Sequence, residues 1–586
     1  MSELPNPAVP LQAGLPPATL RRLGSLRRPN ITTAVWLLVA FILVALVVNP
    51  VARLLVTSFE DPDGVGYTFG NYVAAYSHPR YLQALVNTLM MGVAVSLLTL
   101  ALALPLAWAV SRTDMPGKKL VRLLVLGAFV TPPYLGAIGW ILLAGPNAGW
   151  LNRIAVALTG AQNGPLNIYS FTGLTFVIAI YSYPYLFIFV SNALDLVSSE
   201  MEDAASIIGA GTARTMLRVT LPLVLPAILG GLIITFLESI ALFGSPALIA
   251  LPARFGVVTT QLWQFFSSPA RIEVAAAYSM PLLLVTVALF LFQQRLVRRR
   301  GFVTQSGKGG ERRIIQLGPW RWVMFAYAAF ILSLSVVLPY LALAQAGFAK
   351  AWGRGITLDN FTFENFRYLI FDHAMARGAV LNSFTFAAAT AFIAVGLALL
   401  IALIVVRRLV PFSRILSLLA MIPFVIPGIV LAIGFYAAYA PPPLSLYNTA
   451  WIMILAFTTR FLPIAYANSE SAMRSLNPEM EDAVRILGGS WFTALRRVIL
   501  PLLKGGLVTS WLLVFIPATR ELSTAIFLYG PDTRTMSVLL FDMSEEGRFE
   551  LLAAFGLLLL FATIVMVAIG FRLVGRDFMT RRGADA

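Results

Sequence analysis

The chain has 586 residues, of which 59% are apolar and only 12% charged, with a mean hydropathy of +0.81. Soluble domains carry roughly a quarter charged residues, and no soluble interior takes up this much apolar surface, so most of the chain belongs in a bilayer. Cysteine is absent and only two histidines occur, His78 and His373, which excludes disulfides, thiolate metal sites and cysteine nucleophiles and leaves almost no donors for a histidine metal site. The net charge of +16 is read as the basic bias of cytoplasmic loops and not as a nucleic-acid footprint.

A bilayer span needs about 20 mostly apolar residues. In chain order such stretches fall near 33–57, 82–110, 120–144, 171–195, 223–247 and 274–297, then near 322–347, 379–406, 415–440, 449–471, 503–528 and 549–573. The first follows Arg21, Arg22, Arg27 and Arg28, is too long for a signal-peptide core and lacks a small-residue cleavage site, so it is read as a retained helix. With the N-terminus inside, Lys and Arg are about three times as abundant on the inner side, which predicts both termini in the cytoplasm. The chain then divides into a tail (1–30), a first half (31–297), a linker (298–320), a second half (321–575) and a short tail (576–586). The linker holds Arg298, Arg299, Arg300, Lys308, Arg312 and Arg313 among Gly and Ser. Topology marking is preferred there to lipid or nucleic-acid binding.

The two halves repeat each other. Residues 200–204 read Glu-Met-Glu-Asp-Ala, and so do residues 479–483. At that offset of 279, Gly209 meets Gly488, Arg218 meets Arg497, Leu221-Pro222 meets Leu500-Pro501 and Pro184 meets Pro463. Earlier in each half the offset is 295, pairing Asn87 with Asn382, Pro132 with Pro427 and Gly139 with Gly434; an extra outside loop near 145–170 accounts for the difference. Each half has six spans, so the halves are parallel and related by a pseudo-twofold axis along the membrane normal. The expected fold is an all-α polytopic membrane protein in two six-helix halves enclosing a path.

The repeated segment lies on the inner side between the fourth and fifth spans. Ser198 and Asn477 are suited to cap it, and Glu200, Glu202 and Asp203 put negative charge in its first turn. Ala204, Ile207, Ile208 and Gly211 form one helical face, repeated by Ala483, Ile486, Leu487 and Ser490. Gly209 and Gly488 interrupt the helix, which predicts close backbone approach to a neighbour. On physics alone, an interfacial helix resting on lipid remains an alternative.

The run Glu202-Asp203-Ala204-Ala205, then Gly209, then Leu221-Pro222 resembles the EAA loop of ABC importer permeases, and Glu481-Asp482-Ala483 through Gly488 to Pro501 repeats it. Only Val484 departs, standing where the family usually has alanine, which predicts weakened packing. The resemblance covers roughly 80–575 and implies the type I importer permease fold, with cores near 82–293 and 378–571, in a bacterial inner membrane. It implies that both loops are coupling helices seated on two copies of an ABC ATPase, and that a periplasmic solute-binding protein delivers the cargo. No P-loop occurs, since Gly307-Lys308-Gly309 lacks the spacing and the hydroxyl. ATP and Mg therefore belong on a separate ATPase chain, with no cofactor bound here.

A fused chain of this length resembles the ferric-iron group, whose relatives carry thiamine, phosphonates, polyamines or molybdate. Gly145-Pro146-Asn147 with Leu151-Asn152 and the run Pro427 to Ala432 are similar to iron permeases, whereas their usual Lys-Glu-Leu-Pro appears as Arg520-Glu521-Leu522-Ser523. Independently, Glu238 and Glu521 fall in corresponding fifth and eleventh spans, where an ionised group costs about 2.5–3.5 kcal/mol unless paired or hydrated. Hard cations prefer oxygen ligands, so these carboxylates suit a transient metal relay. Pairing of Glu521 with Arg460 or Arg520 is the structural alternative. Tyr134, Tyr181, Tyr183 and Tyr185 read as interfacial or packing aromatics, nearby prolines such as Pro132 and Pro184 as points of unwinding, and the histidines as surface residues in outside loops. A secondary transporter or channel is the rival class, but it gives no reason for the repeated acidic loop. A membrane enzyme finds no catalytic constellation.

Overall fold

The computed structural model describes residues 31–62, 64, 66–197, 199–267, 269–299 and 314–574. The tails, Ser198 and the linker's Arg300, Lys308, Arg312 and Arg313 lie outside the described residues, as do Arg21, Arg22, Arg27 and Arg28.

Among the described residues the regular elements are helices. The first half comprises α1 (Thr33–Thr57), α2 (Pro79–Arg112), α3 (Lys118–Val130), α4 (Pro133–Ala144), α5 (Phe171–Leu196), α6 (Ser199–Ile207), α7 (Leu221–Ala241), α8 (Gly244–Ile249), α9 (Val258–Phe266) and α10 (Ile272–Arg299). The second comprises α11 (Trp320–Gly347), α12 (Ala374–Val406), α13 (Ser413–Phe424), α14 (Gly428–Tyr439), α15 (Ala450–Arg474), α16 (Glu479–Ile486), α17 (Leu500–Thr519), α18 (Ala525–Leu528), α19 (Met536–Glu545) and α20 (Phe549–Val574). Each of these first-half helices has its counterpart ten labels later, whereas Trp150–Thr159, a helix in the extra loop, has none.

Four expected spans are not straight. The third is α3 and α4, bent by 98°, and the ninth is α13 and α14, bent by 112°. Both bends fall at prolines in extended backbone, Pro132 (ψ 133°) and Pro427 (ψ 142°), where a missing N–H and a ring clash stop the preceding helix. The fifth and eleventh spans break too: α7 ends at Ala241 and α17 at Thr519, and the apolar run resumes in the short helices α8 and α18. By contrast Pro184 and Pro463 sit inside continuous helices, so unwinding belongs to Pro132 and not to Pro184.

Within each half, α2, α5 and α7, or α12, α15 and α17, pack as a bundle. The first span crosses over: α1 packs on α14, and α11 packs on α4. Small residues allow the crossing. A Cβ on Gly139 would lie 2.7 Å from Pro339 Cβ, and one on Gly434 would lie 2.7 Å from the Pro50 carbonyl. Each crossing helix carries a π-helical turn just before that proline, Val44–Val48 and Ser333–Val337. Proline has no N–H to continue the turn, so the carbonyls of Ala45 and Leu334 lose their partners within the helix. The other half supplies them: Tyr439 Oη donates to Ala45, and Trp140 Nε1 donates to Leu334 at 3.2 Å. The swap thus satisfies backbone groups that would otherwise be orphaned in lipid.

Candidate functional site

The two repeated acidic loops are built alike. Asn477 Oδ1 accepts from the Glu479 N–H at 3.1 Å, capping α16 as its sequence position suggested. Glu202 and Glu481 face inward, toward the ends of α2 and α12. Arg407 Nε donates to Glu481 Oε1 at 2.7 Å, and Arg407 Nη2 donates to the Leu476 carbonyl at 3.2 Å. In the first half Arg112 Nη1 lies 3.6 Å from Glu202 Oε2, and Arg112 Nη2 donates to the Val197 carbonyl at 2.9 Å. Here Thr220 Oγ1 adds a hydrogen bond to Glu202 Oε1 at 2.7 Å; its counterpart is Ile499, so the second loop lacks that bond. Reading by motif missed both arginines. Their match at offset 295 would have found them, had they not already been explained as topology charges.

Of the other motif residues Ala205 is buried with Glu202, and the rest point outward. Asp203, Ala204, Asp482 and Ala483 are exposed, and Ile207, Ile208, Ile486 and Leu487 are each more than 80% exposed. The face expected to pack or to rest on lipid is therefore a bare apolar tip on each loop. Gly209 (φ +81°) and Gly488 (φ +78°) are left-handed helix terminators, followed by the bonds Ala210 N–H to Ala205 carbonyl (3.0 Å) and Gly489 N–H to Val484 carbonyl (2.9 Å). No atom lies within 4 Å of a Cβ built on either, so backbone handedness, and not close approach, requires glycine there. Val484 does not loosen its loop. Its Cγ1 covers Gly489, where a Cβ would lie at 2.5 Å, so Val484 with Gly489 replaces Ala205 with Ala210 by a large-for-small exchange.

The linker emerges over the first loop. The Ile315 N–H donates to the Arg112 carbonyl at 2.8 Å, the Asp114 N–H returns a bond to Ile315 at 3.1 Å, and Asp114 Oδ1 accepts from the Leu317 N–H at 2.9 Å. Ile315 shares a cavity of about 300 Å³ with Trp108, Glu202, Ser206 and Thr220.

Glu238 stands in the last turn of α7, while Glu521 lies just past the end of α17. Their counterparts are Pro517 and Leu242, so the pair occupies corresponding spans without being symmetry mates. Glu521 Oε2 accepts from Arg460 Nε at 3.1 Å, and its Oε1 accepts from the Thr524 N–H at 3.0 Å. Gly428 leaves room for Arg460, whose Nη1 would lie 2.5 Å from a Cβ there. Arg460 and Glu238 line one small cavity beside the α13–α14 break. Arg520 reaches across to the first half and donates to the carbonyls of Val130 and Phe129, at the negative end of α3. The cluster is thus charge-balanced, two carboxylates against two guanidiniums. Among the described residues no three Asp, Glu or His side chains come together as a metal cage. Tyr134, Tyr181 and Tyr183 are buried in the interior and not at an interface, and Tyr185 faces the charged cluster.

The histidines are helix caps. His78 Nδ1 accepts from the Arg80 N–H at 3.2 Å, and His373 Nδ1 accepts from the Ala376 N–H at 3.0 Å. They are 295 residues apart, so they cap equivalent helices, α2 and α12; His373 is buried, against the expectation of a surface residue.

The family described as binding-protein-dependent transport system inner membrane component matches residues 66–302 and again residues 394–576. The chain belongs to that family. This inner-membrane permease is 26% identical to the ferric transport system permease protein FbpB of Actinobacillus pleuropneumoniae, over 89% of this chain and 75% of that one. It is 22% identical to the Fe(3+)-transport system permease protein FbpB 2 of Haemophilus influenzae, over 82% of this chain and 88% of that one. A solved bacterial ABC transporter involved in the import of the acidic polysaccharide alginate superposes with a TM-score of 0.39 at 18% identity, covering 46% of this chain and 98% of that chain. The permease is a multi-pass, internally duplicated transport subunit of an ABC importer, and each matched segment contains one acidic loop and one broken fifth span of its half.

Proposed function

We propose that this permease carries ferric iron, handed over by a periplasmic binding protein, into the cytoplasm by alternating access. Two copies of a separate ATPase, which hold the ATP and Mg, dock on α6 and α16, with both termini of the permease on the same cytoplasmic side. The observation that carries the coupling role is the matched pair of loops, each anchored inward by a Glu–Arg contact and presenting an exposed apolar tip. An exposed apolar tip of that kind marks a contact site for another protein or for lipid, and we assign it to the ATPase. The inward glutamates explain how a push on the tip reaches α2 and α12: motion passes through a salt-bridged lever into the bundle and not through lipid.

The cargo reading is supported by relatives named for ferric transport along most of the chain. Glu238 and Glu521 are proposed as transient oxygen ligands on the path, with Arg460 holding Glu521 until cargo arrives. The presence of Arg460 and Arg520 in the same cluster favours a second reading, in which a phosphonate or another small anionic solute is carried. Uptake of radiolabelled ferric iron, thiamine and 2-aminoethylphosphonate, with and without this chain and its companion subunits, separates these readings. Iron uptake that depends on the chain and falls in the Glu238→Gln, Glu521→Gln double variant supports cargo and path together. Uptake of another solute alone keeps the importer and overturns the cargo.

A further inference from the structure

On its outer flank the second half carries a groove that the transport path does not use. It has a volume of about 550 Å³ and runs between α12 and α20, with Leu381 and Phe384 on one wall and Phe555, Leu558 and Phe561 on the other. Leu381 and Phe561 are 64% and 68% exposed, so the groove opens on the surface that faces the bilayer. Arg377 is the sole ionisable residue of its lining. Among the described residues its guanidinium makes one hydrogen bond, from Nη1 to the Phe371 carbonyl at 2.8 Å, which leaves most of its donor fork unused. The nearby Asp372 is engaged by Arg367 at 3.5 Å.

Depth places that cation. α12 has 33 residues, hence about 50 Å of length against a hydrocarbon core of about 30 Å. Its first turn, which includes Arg377, therefore stands at the level of the lipid phosphates, on the side opposite the coupling loops. Apolar contact cannot by itself hold a lipid there, because an acyl chain is equally well solvated by other chains. A fixed guanidinium supplies what the groove lacks: it binds phosphate through two parallel N–H bonds in a low-dielectric setting. The first half has no equivalent. Arg377 corresponds to Leu82, Phe384 to Leu89 and, in the register that pairs Arg271 with Arg548, Phe561 to Leu284, while Phe555 meets Tyr278, so the cation and the phenyl groups at the groove's exposed mouth belong to the second half alone.

We propose that this groove seats one acyl chain of an anionic phospholipid, with its headgroup phosphate on Arg377. The full-length permease, incorporated in vesicles of equal phosphatidylglycerol and phosphatidylcholine and then examined by native mass spectrometry, should retain one phosphatidylglycerol in preference to phosphatidylcholine. Arg377→Gln should lower that preference about tenfold, as expected for loss of a hydrogen bond to a charged group. Ala562→Phe, which fills the groove without touching the cation, should lower retention of the bound lipid while the protein stays monodisperse. Arg80→Gln, a change to another exposed arginine near the same face of the first half, should leave the preference intact. Equal retention of the two lipids by the wild type overturns the proposal. So does a preference unchanged in Arg377→Gln, or one lost equally in Arg80→Gln, which would reduce it to general surface charge.

Discussion

Glu481 meets Arg407 at 2.7 Å, and at the equivalent place in the other half Glu202 stands 3.6 Å from an Arg112 that is 1% exposed. The same joint thus exists twice with different burial. Losing one partner of a buried pair costs about 3–5 kcal/mol, because the surviving charge is left in a medium that solvates it poorly. Glu202→Ala should therefore lower thermal stability more than Glu481→Ala, where water reaches the pair. Charge reversal at both glutamates should leave the chain in the membrane but separate ATP hydrolysis from uptake. Exchanging the second pair, Arg407→Glu with Glu481→Arg, should recover part of the coupling. Undiminished coupled uptake in the double reversal would remove the lever from the mechanism.

Gly209 and Gly488 set the exit angle of each loop. A side chain in the left-handed region costs about 1–2 kcal/mol, and asparagine bears it better than alanine. Gly209→Ala and Gly488→Ala should each reduce coupled uptake with unchanged membrane insertion, and the Asn variants should retain more activity than the Ala variants. The readouts are protein level in the membrane fraction and uptake rate. Equal activity of the Ala variants and wild type would mean that the loop tolerates another exit angle.

The duplication, the number of apolar runs and both acidic loops were legible because they are patterns along the chain. What was hidden depends on contacts across it. The 120–144 and 415–440 runs are apolar on both sides of their bends, so hydropathy alone passes over the breaks at Pro132 and Pro427. The same holds at Ala241, where no proline stands at the break, and at Thr519, where Pro517 lies inside the last turn and does not end the helix at its own position. Arg112 and Arg407 fall among the basic residues read as topology marks, and that reading conceals their contacts with Glu202 and Glu481. Gly139 and Gly434 were noticed only as matched positions. Their reason is a partner, Pro339 or Pro50, that lies about two hundred or nearly four hundred residues away in sequence.

That crossing makes its own prediction. A Cβ at Gly434 would lie 2.7 Å from backbone, the Pro50 carbonyl, whereas at Gly139 the nearest atom is Pro339 Cβ on a ring. Overpacking costs about 1–3 kcal/mol when neighbours must shift. Gly434→Val should therefore lower the melting temperature at least as much as Gly139→Val, and the two together should exceed either alone. Tyr439→Phe, which takes the hydrogen bond from the Ala45 carbonyl, should destabilise without any steric change. Differential scanning fluorimetry in detergent reads all four. A Gly434→Val melting temperature equal to that of wild type would show that α1 is loosely held on α14.

The cap made by His373 answers to acid. His373 Nδ1 accepts the Ala376 N–H only while the ring is neutral at that nitrogen. Burial, and then the Arg548 charge, hold its pKa below the ordinary histidine range, against the opposing pull of its backbone hydrogen bond and of Glu546. Because the folded value lies below the unfolded value of about 6.5, the unfolded chain takes up the proton first. The contribution of His373 is therefore fully present above that unfolded value, and it is lost as pH falls through the lower folded value. Removing a cap costs about 1 kcal/mol, so the melting temperature should drop between neutral pH and pH 5. His373→Asn keeps a cap that does not titrate, and it should flatten that part of the profile. An identical acid slope in wild type and His373→Asn would assign the loss of stability to other groups.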